Sequence, residues 1–186
     1  VFDLKPTTAL GEENARIDVV GAFTISENPN CSLASLAARK GQEAVVAGAI
    51  EVALGIDLPG PGGCVTKDDH RFWWSGPGQW MIEADHDTHP LLAQEIKEIV
   101  RDAGAVTEQT DGWCLFDIEG ANPEALFERL CAVDVPDMSI GTATRTNIHH
   151  IGCFLIREEA RFNVVGPRSS AGSLHSALVE VAAGLP

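Results

Sequence analysis

The chain has 186 residues, 45% of them hydrophobic, yet no apolar run approaches the roughly 18 residues of a membrane span. Twenty-seven acids against thirteen bases give a formal charge of −14, which sets the surface against nucleic acid and anionic membranes. A chain of this length buries roughly 70% of its unfolded surface, so one compact body needs no covalent staple.

Residues 1–20 read as an N-terminal arm. Asp3, Lys5, Glu12, Glu13, Arg16 and Asp18 are unlike a secretory signal. Val1, Phe2, Leu4, Leu10 and Ile17 are too few apolar residues for an independent unit. The arm is therefore expected to be mobile alone and to order against a partner, with Phe2 and Leu4 as anchors and little contact with its own helices.

From there the elements follow in order. Ala22–Ile25 and Leu33–Ala38 are strand-length runs, and residues 42–54 read as a helix with Val45, Ala49, Val52 and Ala53 at helical spacing and Gly55 as the stop. Residues 71–75 and 79–84 form a hairpin around Gly76-Pro77-Gly78. Residues 90–102 form a helix presenting Leu92, Ile96, Ile99 and Val100, with Thr88 as candidate N-cap. Then the pattern recurs: strands at 105–107 and 115–120, and a helix over 123–132 with Pro in its first turn and Leu126, Phe127 and Leu130 as its stripe. A hairpin of 153–157 with 161–165 follows, and a helix over 170–183 carries Leu174, Leu178, Val181 and Ala182, with Ser170 as candidate cap.

This recurrence has a constant offset of 82: Leu33 maps to Leu115, Phe72 to Phe154, Trp80 to Phe162, Leu92 to Leu174 and Ile96 to Leu178. Repetition of this kind governs the reading of the fold. The expected class is α+β, two pseudo-repeated β/α lobes (β-β-α-β-β-α each) sharing one compact body, residues 21–186, with lobe 1 over about 21–102 and lobe 2 over about 103–186.

Motifs that would define a catalytic class are missing. There is no G-x-G-x-x-G leading from a strand into a helix, no P-loop lysine and no G-x-S-x-G elbow. Cys31, Cys64, Cys114, Cys131 and Cys153 are odd in number and lack C-x-x-C spacing, the pattern of free thiols in a reducing, cytoplasmic compartment. His149-His150 on a strand would point to opposite faces and could not chelate one ion. Asp68-Asp69-His70 reads as a solvated turn, Asp85-His86-Asp87 as acids preceding a helix, and His175 as an interface or core-edge residue. No metal centre is expected from these residues.

Two features stay open. Arg168, Ser169 and Ser170 stand between a strand and a helix start, where they could hold a carboxylate or phosphate; alternatively a serine caps the helix and Arg168 pairs with another chain or a nearby acid. Trp73, Trp74, Trp80 and Trp113 could form a partner surface, ordinary core or a stacking platform; Trp73 points opposite to Trp74, so one faces away from its own core.

Several segments, in this order and spacing, resemble the gamma subunit of heterotetrameric sarcosine oxidase over nearly the whole length: Ala38-Arg39-Lys40-Gly41-Gln42-Glu43, Leu54-Gly55-Ile56-Asp57-Leu58-Pro59, Ser75-Gly76-Pro77-Gly78-Gln79-Trp80, Thr110-Asp111-Gly112-Trp113, Arg129-Leu130-Cys131, Thr144-Arg145-Thr146, and Gly166 to Ser169 through Ser173-Leu174-His175. That family is distantly similar to the folate-binding domain of glycine-cleavage aminomethyltransferase. The resemblance implies a non-catalytic structural subunit, with alpha, beta and delta subunits as partners, in a complex that oxidatively demethylates sarcosine to glycine. The products are hydrogen peroxide and formaldehyde or methylenetetrahydrofolate. FAD, FMN, NAD, tetrahydrofolate and zinc are then expected in the partner subunits and no cofactor in this chain. A tetrahydrofolate-binding one-carbon module is the alternative it implies.

Overall fold

The computed structural model describes residues 5–185. The chain builds β1 (Ile17–Val20) and β2 (Phe23–Glu27), then β3 (Cys31–Ala38), α1 (Glu43–Leu54), β4 (Cys64–Lys67), β5 (His70–Gly76), β6 (Gln79–Asp85), α2 (Leu92–Val100) and β7 (Gly104–Glu108). It continues with β8 (Trp113–Gly120), α3 (Pro123–Leu130), β9 (Thr142–Ile148), β10 (Ile151–Arg157), β11 (Phe162–Pro167) and α4 (Ala171–Ala183). Two compact units result. A middle unit spans Asn30–Thr110, and a terminal unit joins the residues up to Pro29 with those from Asp111 onward.

The middle unit is an antiparallel sheet of order β4-β5-β6-β3-β7. Alternation along its strands sends Ala34, Leu36, Phe72, Trp80 and Ile82 to one face, where Val46 and Ile50 of α1 and Leu92, Ile96 and Val100 of α2 cover them. Burying each large side chain contributes about 1.5–3 kcal/mol. The β5–β6 turn is Pro77-Gly78, with Gly78 at φ +63°, a conformation that strains any residue carrying a Cβ. The terminal unit is a second antiparallel sheet, β1-β2-β8-β11-β10-β9. Its core joins Phe23, Ile25, Phe116, Ile118, Leu155 and Val164 to Leu126 and Phe127 of α3 and Leu174 and Leu178 of α4.

Helix α1 departs from the expected stripe. Val45 and Val52 are 54% and 90% exposed, and the buried pair is Val46 and Ile50. The helix is apolar nearly all round, so spacing alone fits two faces equally well. Its end is as expected: Gly55 adopts φ 64° and its N–H donates to the Glu51 carbonyl at 2.8 Å. Thr88 does not cap α2. The Asp85 carboxylate accepts from the Asp87 and Thr88 backbone N–H groups at 2.9 and 3.2 Å, an Asx turn that holds Thr88 back from the helix start. Ser170 stands at the cap position of α4 without a side-chain capping bond. Asn122 caps α3 instead, accepting from the Ala125 N–H at 3.4 Å.

Strands β1, β4 and β9 were not expected. All three lie at sheet ends, where one backbone edge meets solvent and little apolar surface is needed to hold the strand. The lobe boundaries at 102/103 and 20/21 also fall elsewhere. β7 pairs with β3, Ala34 opposite Glu108, and β2 pairs with β8, Phe23 opposite Gly120. Each thereby joins the sheet of the unit opposite to its expected lobe. An apolar repeat records which positions are buried; it does not record which edge a strand joins.

The N-terminal segment is likewise part of its own unit, contrary to the expected loose arm. Thr8 is buried and Leu10 packs on the core of the terminal unit. Glu27, 5% exposed, accepts from the Leu10 and Arg16 backbone N–H groups at 2.9 and 3.3 Å. Arg168 donates to the Thr7 and Thr8 carbonyls at 2.7 and 3.1 Å, and Asp18 meets His175 of α4. A buried carboxylate satisfied by chain amides ties the segment down. Phe2 and Leu4 lie outside the described residues. No helix among the described residues is long and apolar enough to cross a membrane.

Glu27→Ala therefore costs about 1–3 kcal/mol and lowers the melting temperature by about 2–10 °C. Removing residues 1–16 lowers it as well, both read by circular dichroism of the isolated chain. An unchanged melt in both variants would detach this segment from the core.

Candidate functional site

Arg168 opens a short 3₁₀ turn, Arg168–Ser170, that runs into α4. Its Nη2 is committed to the Thr7 and Thr8 carbonyls of the same chain. The guanidinium thus braces the N-terminal segment, which is a third role beside the two left open by sequence. His175 is buried; its Nε2 stands 2.7 Å from Asp18 Oδ2 and its ring packs beside Phe116. Arg16 chelates the same carboxylate from the other side, at 2.8 and 3.2 Å. That hydrogen bond, helped by His175, holds Asp18 below the usual carboxylate range.

His149 and His150 are not strand residues. They are the two loop residues of the β9–β10 hairpin, in which Ile148 opposes Ile151, and both have positive φ, 47° and 67°. Two central residues with φ > 0 match the right-handed twist of the flanking strands. The tryptophans also divide. Trp73 is fully buried within this chain, with the Arg71 guanidinium 5.8 Å from its ring centroid, so it is no partner surface. Trp80 donates to the Pro59 carbonyl at 2.9 Å from the core of the middle unit, Trp74 packs on the same core, and Trp113 lies against Phe154. No stacking platform assembles from them.

Two of the five thiols, Cys114 and Cys153, are poor nucleophiles. Burial pushes Cys114 up to about 11 and Cys153 up to about 12, outweighing their contacts with backbone carbonyls. The Gly76-Pro77-Gly78 run closes a hairpin and does not lead into a helix.

The one gathering of ligand-type side chains among the described residues joins His70, His89 and Glu95. His70 begins β5, pairing with Lys67 across the β4–β5 turn and with Ala84 of β6. His89 is set by its N–H bond to the Asp85 carbonyl at 2.9 Å, just before α2, whose first turn carries Glu95. His89 Nδ1 stands 2.7 Å from Glu95 Oε2, and the two imidazole centroids are 4.6 Å apart. On the other side, Asp69 Oδ2 is 3.9 Å from His89 Nε2. Burial, then the proximity of His89, lowers the His70 pKa from its ordinary value. The sequence reading saw His70 only as part of a turn, because its two partners stand about 20 positions later and are brought to it by strand register.

The fold defines a class: α+β, with two antiparallel sheets each packed by two helices. No family model matches the sequence, and no curated protein matches it. Solved structures do. Heterotetrameric sarcosine oxidase from Corynebacterium sp. U-96, in complex with pyrrole 2-carboxylate, aligns with a TM-score of 0.77 at 19% identity, covering 89% of this chain and 87% of that one. Glycine cleavage system aminomethyltransferase T from Bartonella henselae aligns with a TM-score of 0.68 at 13% identity, covering 86% of this chain and 46% of that one. This chain therefore spans less than half of the aminomethyltransferase. At these identities the likeness is one of fold.

Two outcomes test the site chemistry. The carboxyl of Asp18, followed by NMR, titrates below the usual value of about 3.9. Its stabilisation is complete above that value and is lost as pH falls through the folded midpoint; Arg16→Gln moves the midpoint back up. In native protein at pH 8, a thiol reagent labels Cys114 and Cys153 at least tenfold more slowly than after denaturation, as read by peptide mass spectrometry.

Proposed function

We propose that the chain is a non-catalytic structural subunit, of the gamma type, in a heterotetrameric sarcosine-oxidising flavoenzyme. The observation that carries this reading is mutual coverage: the fold match takes in 89% of this chain and 87% of the sarcosine oxidase chain. Alpha, beta and delta subunits are its partners, and the flavins, NAD, folate and zinc of the reaction belong to them. The complex converts sarcosine to glycine, with hydrogen peroxide and formaldehyde or methylenetetrahydrofolate as products, in the cytoplasm.

The surface offers a place for such a partner. Val45 and Val52, seven residues apart on α1, share one exposed side. A cleft of about 600 Å³ that includes Val45 is lined by Ala49 and Ile99, by three bases, Arg39, Lys40 and Arg101, and by one acid, Asp102. A basic cleft bordered by apolar side chains suits an acidic segment of a partner subunit. The buried, raised thiols of Cys114 and Cys153 and the committed guanidinium of Arg168 also support a structural role.

The same reading includes an internal duplication of one unit as the other. Under the 82-residue offset, the sheet order β4-β5-β6-β3-β7 has the counterpart order β9-β10-β11-β8-β2, with β1 added at one end. Leu92 and Leu174 then occupy the corresponding helices α2 and α4, and Trp80 and Phe162 the corresponding strands β6 and β11. The aminomethyltransferase fold favours a second reading, a tetrahydrofolate-binding one-carbon module.

Co-expression with sarcosine oxidase alpha, beta and delta chains tests the first reading. The chain is expected to be colourless alone and to co-purify in a yellow complex that turns over sarcosine. Val45→Asp with Val52→Asp reduces the recovered complex at least tenfold while leaving the melt of the isolated chain nearly unchanged, since both positions are exposed. Failure of the wild type to co-purify, with stoichiometric tetrahydrofolate binding by the isolated chain, would transfer the assignment to the one-carbon module.

A further inference from the structure

We propose that His70, His89 and Glu95 form a divalent-cation site of the zinc type, with two imidazole ligands and one carboxylate. The site lies within the middle unit and stands independently of the subunit assignment above. Its ligand atoms all fall within 4.8 Å of one another. Ligands bonded at about 2.0–2.1 Å in a tetrahedron stand about 3.3 Å apart, so side-chain shifts of about 1 Å within the present backbone gather them around one ion. His89 Nδ1 and Glu95 Oε2, at 2.7 Å, need to open slightly; the His70 ring needs to close in.

Three further features favour a cation. First, the scaffold is fixed: His70 is held by pairing on both sides of β5, and His89 and Glu95 by the Asp85 turn and the first turn of α2. Second, His89 directs Nδ1 towards Glu95, and its other nitrogen faces the Asp69 carboxylate at 3.9 Å. At that distance Asp69 does not hydrogen-bond the ring, but it adds negative charge beside the site. Third, the two imidazole rings stand with centroids 4.6 Å apart and tilted by 57°, so both can present a ring nitrogen to one ion between them.

The acids around the pair, Asp68 and Asp69 in the β4–β5 turn and Glu95 on α2, supply negative charge to balance a dication. Two nitrogens and one carboxylate oxygen favour zinc or its neighbours over magnesium and calcium, which prefer all-oxygen sets. Three protein ligands leave a fourth position for water. Bound there, the ion would cross-link the start of β5 to the N-terminal turn of α2.

The test uses the full chain, freed of metal by chelation, titrated with zinc chloride at pH 7.5. One equivalent is expected to bind with a Kd below about 10 µM, a limit one decade weaker than the 1 µM that corresponds to −8.2 kcal/mol. Binding shifts the ring NMR resonances of His70 and His89, leaves those of His86, His149, His150 and His175 in place, and raises the melting temperature. His70→Ala, His89→Ala and Glu95→Gln each weaken binding at least tenfold, while His149→Ala with His150→Ala does not change it. Since the NMR readout uses the wild-type chain, an unfolded variant leaves the test intact. Absence of saturable binding, or binding that moves no resonance of His70 and His89, as when zinc sits on thiols, overturns the proposal.

Discussion

The backbone of β8 is hydrogen-bonded along both edges, to β2 and to β11, and it carries buried side chains on both faces, Cys114, Phe116 and Ile118 on one and Leu115 on the other. β3 holds the same position in the middle unit, between β6 and β7, with Ala34 and Leu36 on one face and Leu33 on the other. Along the stretches where both faces are buried, every peptide group must be paired and every side chain accommodated. These two strands accept almost no slippage, since a shift by one residue would exchange the faces of every side chain they carry. The helices and outer strands of each unit take their places from them.

Polar groups complete what the apolar pattern leaves unfinished. Arg157, at the end of β10, donates to the Val135 and Met138 carbonyls at 3.1 and 2.7 Å and to Glu124 at 2.8 Å, so one guanidinium secures the irregular stretch between α3 and β9. Arg71 and Glu83 face each other across β5 and β6 as a shielded ion pair, with side chains 7% and 15% exposed. Glu27 does for the N-terminal segment what Arg157 does for the loop. Removing one partner from such a shielded arrangement leaves the other charged and uncompensated, which costs more than the pair contributes.

Much of this was legible in the chain. The strands β2, β3, β5, β6, β7, β8, β10 and β11 were foreseen from alternation, and Gly55 and Pro77-Gly78 announced a helix end and a turn. Edge strands β4 and β9 were missed because an edge needs few apolar residues, and the buried stripe of α1 because Glu43–Leu54 offers apolar residues on every side. The turn at His149-His150 was hidden because histidine carries little turn signal, although its two positive φ angles place it there. The fixing of the N-terminal segment depends on Glu27 and Arg168, whose partners are backbone groups with no signature in residue type. The His70, His89 and Glu95 cluster was beyond linear reading for a related reason: its geometry is created by hairpin register and the Asp85 turn.

The interleaving of the units has a consequence for synthesis on the ribosome. The middle unit, Asn30–Thr110, is contiguous, and all its ladders close within one stretch of chain. Once Thr110 has emerged it can fold without waiting for later residues. The terminal unit cannot, because Phe23 of β2 finds its partner only when Gly120 arrives, and β8 in turn needs β11. Until then β1 and β2 hang as an exposed hairpin, with Ile17 and Val19 open to solvent even in the finished fold. Long-range pairings of this kind are slow, and unpaired strands are the species on which aggregation starts. The β1–β2 hairpin therefore stays the unpaired element beside an already folded middle unit until β8 and β11 have been made.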